Sequence, residues 1–374
     1  MRVLLTTDCV GGVWTHSLDL ARGLRAAGVG VVLATMGAAL SDDQRADAES
    51  AGAAALHEGE FALEWMDDPW GSVDAAGEWL LEIAAAESVD IVHSNSYSHG
   101  ALAWRRPVVV AGHSCVVSWW RAVEGGYPPP SWDEYRRRVA AGLRAADAVV
   151  APTRAMLREL EAAHRIAGGI AIHNGSSVPE TCRAKEPFVL AAGRLWDRAK
   201  GLELLERAAT GLRWPVLAAG EGATEAAGEG ASCASATGAS PLPSASEQNL
   251  RALGHLSARE LARLRERASI FAAPARYEPF GLAILEAARA GCALVLSDIA
   301  SLRELWSEAA AFVPSGDAGA LHAQLAALIM DPAERARLAR AARLRAQRYS
   351  VERMTRGYVR LYERVATPRK EAVA

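Results

Sequence analysis

Residues 275 to 291 read ARYEPFGLAILEAARAG, and they place two carboxylates, Glu278 and Glu286, eight residues apart around Pro279, Phe280 and Gly281. A strand-like run, ASIFAAPA (268 to 275), comes before them and a helical apolar pattern comes after. The pattern predicts a helix beginning near Phe280 or Gly281, with Pro279 at a place where a missing amide donor costs nothing. The first turn of such a helix exposes unpaired N–H groups and a partial positive charge, a seat for an anion such as phosphate. Gly281 has no side chain to hold the ligand away. Glu286 then falls roughly 7 to 8 Å along the axis from Gly281, within reach of ribose hydroxyls, while Glu278 stays in the loop in front, where a sugar could sit. Taken alone, the two acids also have a plainer reading: Glu278 as a complement to the helix dipole and Glu286 as a partly exposed helical residue.

Other chemistry-bearing residues also follow strand-like runs. In AGRLWDRAKG (192 to 201), Arg194 and Lys200 are cations in the loop that follows a strand-like run. Away from any ligand they would be surface charges. In DCVGGVWTH (8 to 16), Gly11 and Gly12 let backbone amides approach a phosphate or sugar, or simply make a tight turn. That loop lacks the GxGxxG arrangement of dinucleotide binders, which makes NAD a poor fit. VVVAGHSC (108 to 115) ends in Gly112-His113-Ser114, and a strand-end histidine such as His113 serves either structure or substrate. Gly220-Glu221-Gly222 makes a further glycine turn after WPVLAA.

The elements that position these residues form two series. VLLTT, VGVVLAT, VDIVHSN, PVVVAGH and DAVVAPT read as strands with helical patterns between them. From Pro187 the theme restarts with PFVLAAGRL, WPVLAAGEG, ASIFAAPA, CALVLSD and AAAFVP. Runs apolar on both faces imply parallel sheets covered by helices. The 374 residues exceed what one core usually organises. The expected division is one domain over 1–178, joined by a linker to a second over 185–349. Two such sheets would leave a ligand cleft at their carboxyl edges. Residues 223–249, rich in Ala, Ser and Gly, read as a loop without catalytic residues. A break at Tyr349 and Ser350 reads as a fresh helix N-cap.

Bulk properties narrow the class further. A net charge of −3 from 41 basic and 44 acidic residues supplies no field for nucleic acid. The five cysteines lack CxxC spacing, which disfavours a zinc site and favours a reducing compartment. No apolar run has the length to cross a bilayer, so the expectation is a cytoplasmic protein with at most peripheral membrane contact.

The segment ARYEPFGLAILEAARAGCALVLSD resembles the E-x7-E signature of retaining glycosyltransferases of family 4, which have the GT-B fold of two Rossmann-like domains. RYEPFGL is similar to the corresponding phrase of glycogen and starch synthases in that superfamily. AGRLWDRAKG resembles the family's GRL-x-x-x-KG segment, DCVGGVWTH its GG loop, and Gly112-His113-Ser114 the place where a histidine approaches the transferred sugar. The resemblance implies a metal-independent, retaining hexosyltransferase with no cofactor, using a UDP-, GDP- or ADP-sugar as donor and a small-molecule, glycan or lipid-linked acceptor. It implies catalytic roles for Glu278, His113, Arg194 and Lys200. It implies donor contacts from Gly11, Gly12, Arg194, Lys200, Gly222, Phe280, Gly281, Leu282 and Glu286. The absence of a DxD motif agrees with independence from a metal. The resemblance also makes 1–178 the acceptor-side domain and 185–349 the nucleotide-sugar donor domain, and it returns the last helix, 350–374, to the N-terminal domain. Departures at Trp14, where the family has an acid, at Ala275, where it has serine, and in the expanded 223–249 bear on the acceptor and on the donor's base. A GT-B sugar-nucleotide epimerase and a non-catalytic nucleotide-sugar binding protein are the alternative readings. Trp119 and Trp120 are candidates for an acceptor platform.

Overall fold

The computed structural model describes residues 1–9, 11–181, 183–220 and 249–367. It divides into two compact units. The first comprises Met1–Arg121, Gly126–Ser177 and the chain from Ser350 onward; the second comprises Ala122–Gly125 and Val178–Tyr349.

Among the described residues, the first unit holds a parallel sheet of seven strands: β1 (Arg2–Asp8), β2 (Gly30–Met36), β3 (Ala55–Glu58), β4 (Ile91–Ser94), β5 (Val108–Ala111), β6 (Ala148–Ala151) and β7 (Ile170–Ala171). Their order is β3-β2-β1-β4-β5-β6-β7. The central strands are buried on both faces, as the unbroken runs of Val, Leu and Ile require. One core layer forms around the helix Gly12–Ala26, where Leu18, Leu20 and Leu24 pack with Val3, Leu5 and Leu33. The last helix, Val351–Ala366, joins this layer through Met354, Tyr358, Leu361 and Tyr362. Its start is fixed by Ser350, whose side chain accepts the Arg353 N–H.

The second unit repeats the plan with β8 (Glu186–Ala192), β9 (Val216–Ala219), β10 (Leu250–Ala252), β11 (Ala268–Ala273), β12 (Ala293–Ser297) and β13 (Ala311–Val313), ordered β10-β9-β8-β11-β12-β13. Its two core layers sit on opposite sheet faces, one built on Phe271, Leu285 and Trp306, the other on Val189, Ile270 and Leu325. In both units strand order reverses direction beside the first strand, between β1 and β4 and between β8 and β11. Such switch points open a crevice beyond the carboxyl ends of the strands.

Three strands escape the sequence pattern: β3, β7 and β10. All three lie at sheet edges, where a strand pairs on one side only and its residues stay partly exposed. Without burial on two faces, no continuous apolar run is needed to make them. Residues 223–249 lie outside the described residues except for Asn249, whose side chain donates to the Leu212 and Trp214 carbonyls. No helix among the described residues is long and apolar enough to cross a membrane.

Candidate active site

The helix after β11 runs from Leu282 to Arg289, so it starts later than the expected Phe280 or Gly281. Gly281 is its N-cap in the left-handed region, with φ 85° and ψ 69°. A residue in that conformation turns the chain instead of continuing a helix, and a Cβ there would lie 2.7 Å from Ile284 Cδ1. Phe280 is drawn out of the helix for a different reason. Its ring is buried in the core, edge-on to Tyr349 with centroids 5.7 Å apart. Any part Phe280 plays toward a ligand therefore falls to its main chain. Gly281 brings no side-chain cap to this helix, whereas Ser41, Thr153 and Ser257 cap helices elsewhere. The amides of a helix's first turn lack intrahelical partners, and such amides suit an anion.

Glu278 and Lys200 come together from loops 78 residues apart in sequence: Lys200 Nζ donates to Glu278 Oε2 at 2.7 Å. Two local features bring them there. The turn Arg198–Lys200 is capped by Asp197, whose Oδ1 accepts the Ala199 N–H at 2.9 Å. It then closes on Gly201, left-handed at φ 69°, where a Cβ would stand 2.4 Å from the Pro274 carbonyl. Only glycine lets this turn lie against the end of β11. The Arg276 N–H donates to the Ala199 carbonyl at 2.8 Å and fastens the two loops. From the far side, Ser301 Oγ donates to the Glu278 carbonyl at 2.5 Å. Both members of the pair are largely shielded, with Lys200 21% and Glu278 16% exposed.

Arg194 follows β8 and stays close to its own turn. Its Nη2 lies 3.7 Å from Asp197 Oδ2, its guanidinium sits 5.6 Å from the Trp196 ring centre, and its side chain is 40% exposed. Gly220, at the end of β9, presses against the Gly193 carbonyl, so the ends of β8 and β9 approach closely. Gly222 lies outside the described residues.

Glu286 does not fit the plainer reading of a partly exposed helical residue. It is buried and its carboxylate receives the equally buried Arg265 guanidinium from the helix Ala258–Arg267. The helix start at Leu282 also brings it to roughly 6 Å along the axis.

In the first unit, Gly11 follows β1 as the N-cap of the helix Gly12–Ala26, again without a side-chain cap. His113 follows β5, and its Nε2 lies 2.9 Å from Asn95 Oδ1. Burial pulls the His113 ring down to about 4, so it is neutral near pH 7. The His16 ring lies 4.5 Å from it. Trp119 and Trp120 are both half-buried, with rings 6.0 Å apart and edge-on.

Sequence reasoning missed Asn95, Ser301 and Arg265. Each is a polar residue whose partner lies 18 or more residues away, and no spacing rule links such pairs. The only signal for Asn95 is its place directly after a buried strand end, where ligand-facing residues collect.

Both halves of the chain match described sequence families: residues 10–176 match Glycosyltransferase Family 4, and residues 178–345 match Glycosyl transferases group 1. Among curated proteins, a glycogen synthase of Mycobacterium tuberculosis is 42% identical over 97 residues, 25% of this chain and 23% of that protein. The matched stretch is thus under a quarter of the relative's length. Among solved structures, a sucrose-phosphate synthase from Thermosynechococcus elongatus superposes with a TM-score of 0.74 at 17% identity, covering 97% of this chain and 98% of the other. HepE of Anabaena, solved in complex with UDP-glucose, gives 0.71 at 17% identity, covering 97% and 100%. A sheet order that repeats in two Rossmann-like units accords with these neighbours. The chain belongs to the family 4 glycosyltransferases of the GT-B fold.

Proposed function

We propose that this protein transfers a sugar from a nucleotide-diphosphate sugar to an acceptor with retention of anomeric configuration, without a metal or other cofactor. The observation that carries the reading is the Lys200–Glu278 pair, held at 2.7 Å just ahead of a helix whose N-cap is a glycine. An ammonium and the amides of a helix's first turn suit a diphosphate, and a carboxylate beside them suits sugar hydroxyls. The complexes of HepE with UDP and with UDP-glucose support a uridine nucleotide as the first donor to try.

In this reading the bond from the sugar's anomeric carbon to the diphosphate oxygen breaks as the acceptor oxygen bonds to the same face. The acceptor proton passes to the departing phosphate oxygen. Charge grows on that phosphate, so Lys200, Arg194 and the amides at Gly281 and Leu282 bind it more tightly in the transition state than in the ground state. Glu278 orients the sugar. A retaining hydrolase would need a second carboxylate facing the same bond, and Glu286 is instead committed to Arg265. Glu286 then serves the nucleoside side of the donor with its geometry set by that guanidinium. In the first unit, Gly11 and Gly12 offer backbone amides and neutral His113 a ring nitrogen to a bound sugar. Nucleotide sugars are made in the cytoplasm, which is where the reading puts the protein.

The deciding experiment incubates the protein with UDP-, GDP- and ADP-glucose, with and without a pool of sugar, glycan and lipid-linked acceptors. Released nucleoside diphosphate is quantified and the product's anomeric configuration is read by NMR. Acceptor-dependent release from one donor with retention supports the proposal. Isomerised donor without any acceptor would mark an epimerase, and binding without turnover a non-catalytic protein.

A further inference from the structure

Around His113 lies a polar group, partly buried at His113 and Asn95, in which the hydrogen bonds of the Asn95 amide fix its orientation. Asn95 stands directly after β4. Its main-chain N–H donates to Thr6 Oγ1 at 2.9 Å, and its Nδ2 donates to the Thr6 carbonyl at 2.7 Å and to Ser17 Oγ at 3.2 Å. A main-chain carbonyl can only accept, so the NH₂ group of the amide must face Thr6. The opposite amide orientation would set two oxygens against each other. Asn95 Oδ1 is therefore the atom facing His113, and it too can only accept. The proton on His113 must sit on Nε2, 2.9 Å away.

The other ring nitrogen, Nδ1, has no hydrogen-bond partner among the described residues. In the neutral ring it carries a lone pair. The remaining neighbours offer no competing charge. His16 lies 4.5 Å away ring to ring, wholly buried, with both of its nitrogens unpartnered among the described residues. His93 bonds to Tyr362, Tyr358 packs between His16 and His93, and Tyr97 gives its hydroxyl hydrogen to the Ser114 carbonyl. Among the described residues no group of three or more His, Cys, Asp or Glu is spaced to hold a metal ion. The cluster holds neutral rings in place, and Asn95 gives His113 its direction.

We infer that Asn95 is a positioning residue that locks His113 in its Nε2–H form, so that His113 Nδ1 accepts a hydrogen bond from a hydroxyl of the transferred sugar. The inference deepens the proposed function and rests on its assignment of His113 to the sugar. It explains why a polar amide sits at the end of a buried strand with its hydrogens directed inward. It also gives His113 a single polarity toward substrate: acceptor, not donor.

The test uses the full-length protein labelled with ¹⁵N-histidine, with the His113 signals identified by their loss in His113→Ala. At pH 7.5 the wild-type ring is expected to show the proton on Nε2; a proton on Nδ1 would overturn the inference whatever any variant does. In Asn95→Ala the ring should become a mixture of both forms. Turnover should fall on the order of tenfold to a hundredfold, the scale for losing the orientation of a positioned group, with donor Kd within about twofold of wild type. An Asn95→Ala protein that keeps wild-type turnover, while His113→Ala is inactive, sinks the role of Asn95 and leaves the function standing. Full activity in His113→Ala would instead remove His113 from the proposed function. Should Asn95→Ala fail to fold, the wild-type spectrum still decides.

Discussion

Replacing Lys200 by methionine removes one ammonium and leaves the shape of the loop nearly unchanged. Lys200 Nζ sits 2.7 Å from Glu278 and its side chain is only 21% exposed, so its charge acts through a medium less screening than bulk water. With a phosphoryl oxygen about 4 Å from Nζ and an effective dielectric near 20, each unit of charge gained by the leaving group is stabilised by about 4 kcal/mol. Losing one fixed donor to an oxyanion costs about 2.7 to 4 kcal/mol in other enzymes. The two figures agree on a fall in kcat of roughly 10² to 10³ for Lys200→Met. The assay is nucleoside diphosphate release at saturating donor and acceptor. Leaving Glu278 without its partner should also lower stability by about 1 to 2 kcal/mol, so rates are compared at a temperature where urea titration shows both proteins folded. A folded Lys200→Met with kcat within about threefold of wild type would refute the assignment of this lysine to the leaving group.

Other expectations follow from the same geometry. Gly281→Ala should destabilise the second unit by about 1 to 2 kcal/mol, because a Cβ is disfavoured at φ 85° and would stand 2.7 Å from Ile284; an unchanged urea midpoint would contradict this. Arg265→Met strands the buried Glu286 carboxylate and should cost about 3 to 5 kcal/mol, while Arg265→Met with Glu286→Leu should regain most of that stability without regaining donor affinity. Equal stability of the single and double variants would show that the pair is not energetically coupled. Acid should unfold the first unit early. Burial lowers the folded-state pKa of His93 to about 3 and of His113 and His164 to about 4, all below the ordinary value of 6.5. The unfolded chain therefore binds protons first, and stability present above pH 6.5 is lost as pH falls toward 4, by up to about 1.4 kcal/mol per unit for each ring. Thermal midpoints that stay flat across this range would contradict it.

The parallel sheets were legible because their inner strands carry unbroken apolar runs. VVVA of β5 and ALVLS of β12 are buried at every position, and no other element of such length needs that pattern. The edge strands β3, β7 and β10 were not legible, since half-exposed pairing imposes no such demand. At the candidate site, spacing located Glu278 and Glu286 on one segment, but it could not show that the first meets Lys200 and the second Arg265. Those partners arrive from other loops and helices, and only the packed fold decides them. The helix start was misplaced because Phe280 looks like a first-turn residue until the core cavity that takes its ring is known. His113 stood out as a lone histidine after a strand. Asn95 did not, because an amide carries no signature until its bonds to Thr6, Ser17 and His113 are in view.

The most direct test of the donor site is calorimetric titration of the protein with UDP, GDP and ADP, repeated on Lys200→Met and Arg194→Met. The account predicts that one of the three nucleotides binds at a single site and that each substitution weakens it by tenfold or more, about 1.4 kcal/mol. Failure of all three to bind, or equal affinity in wild type and both variants, would contradict it.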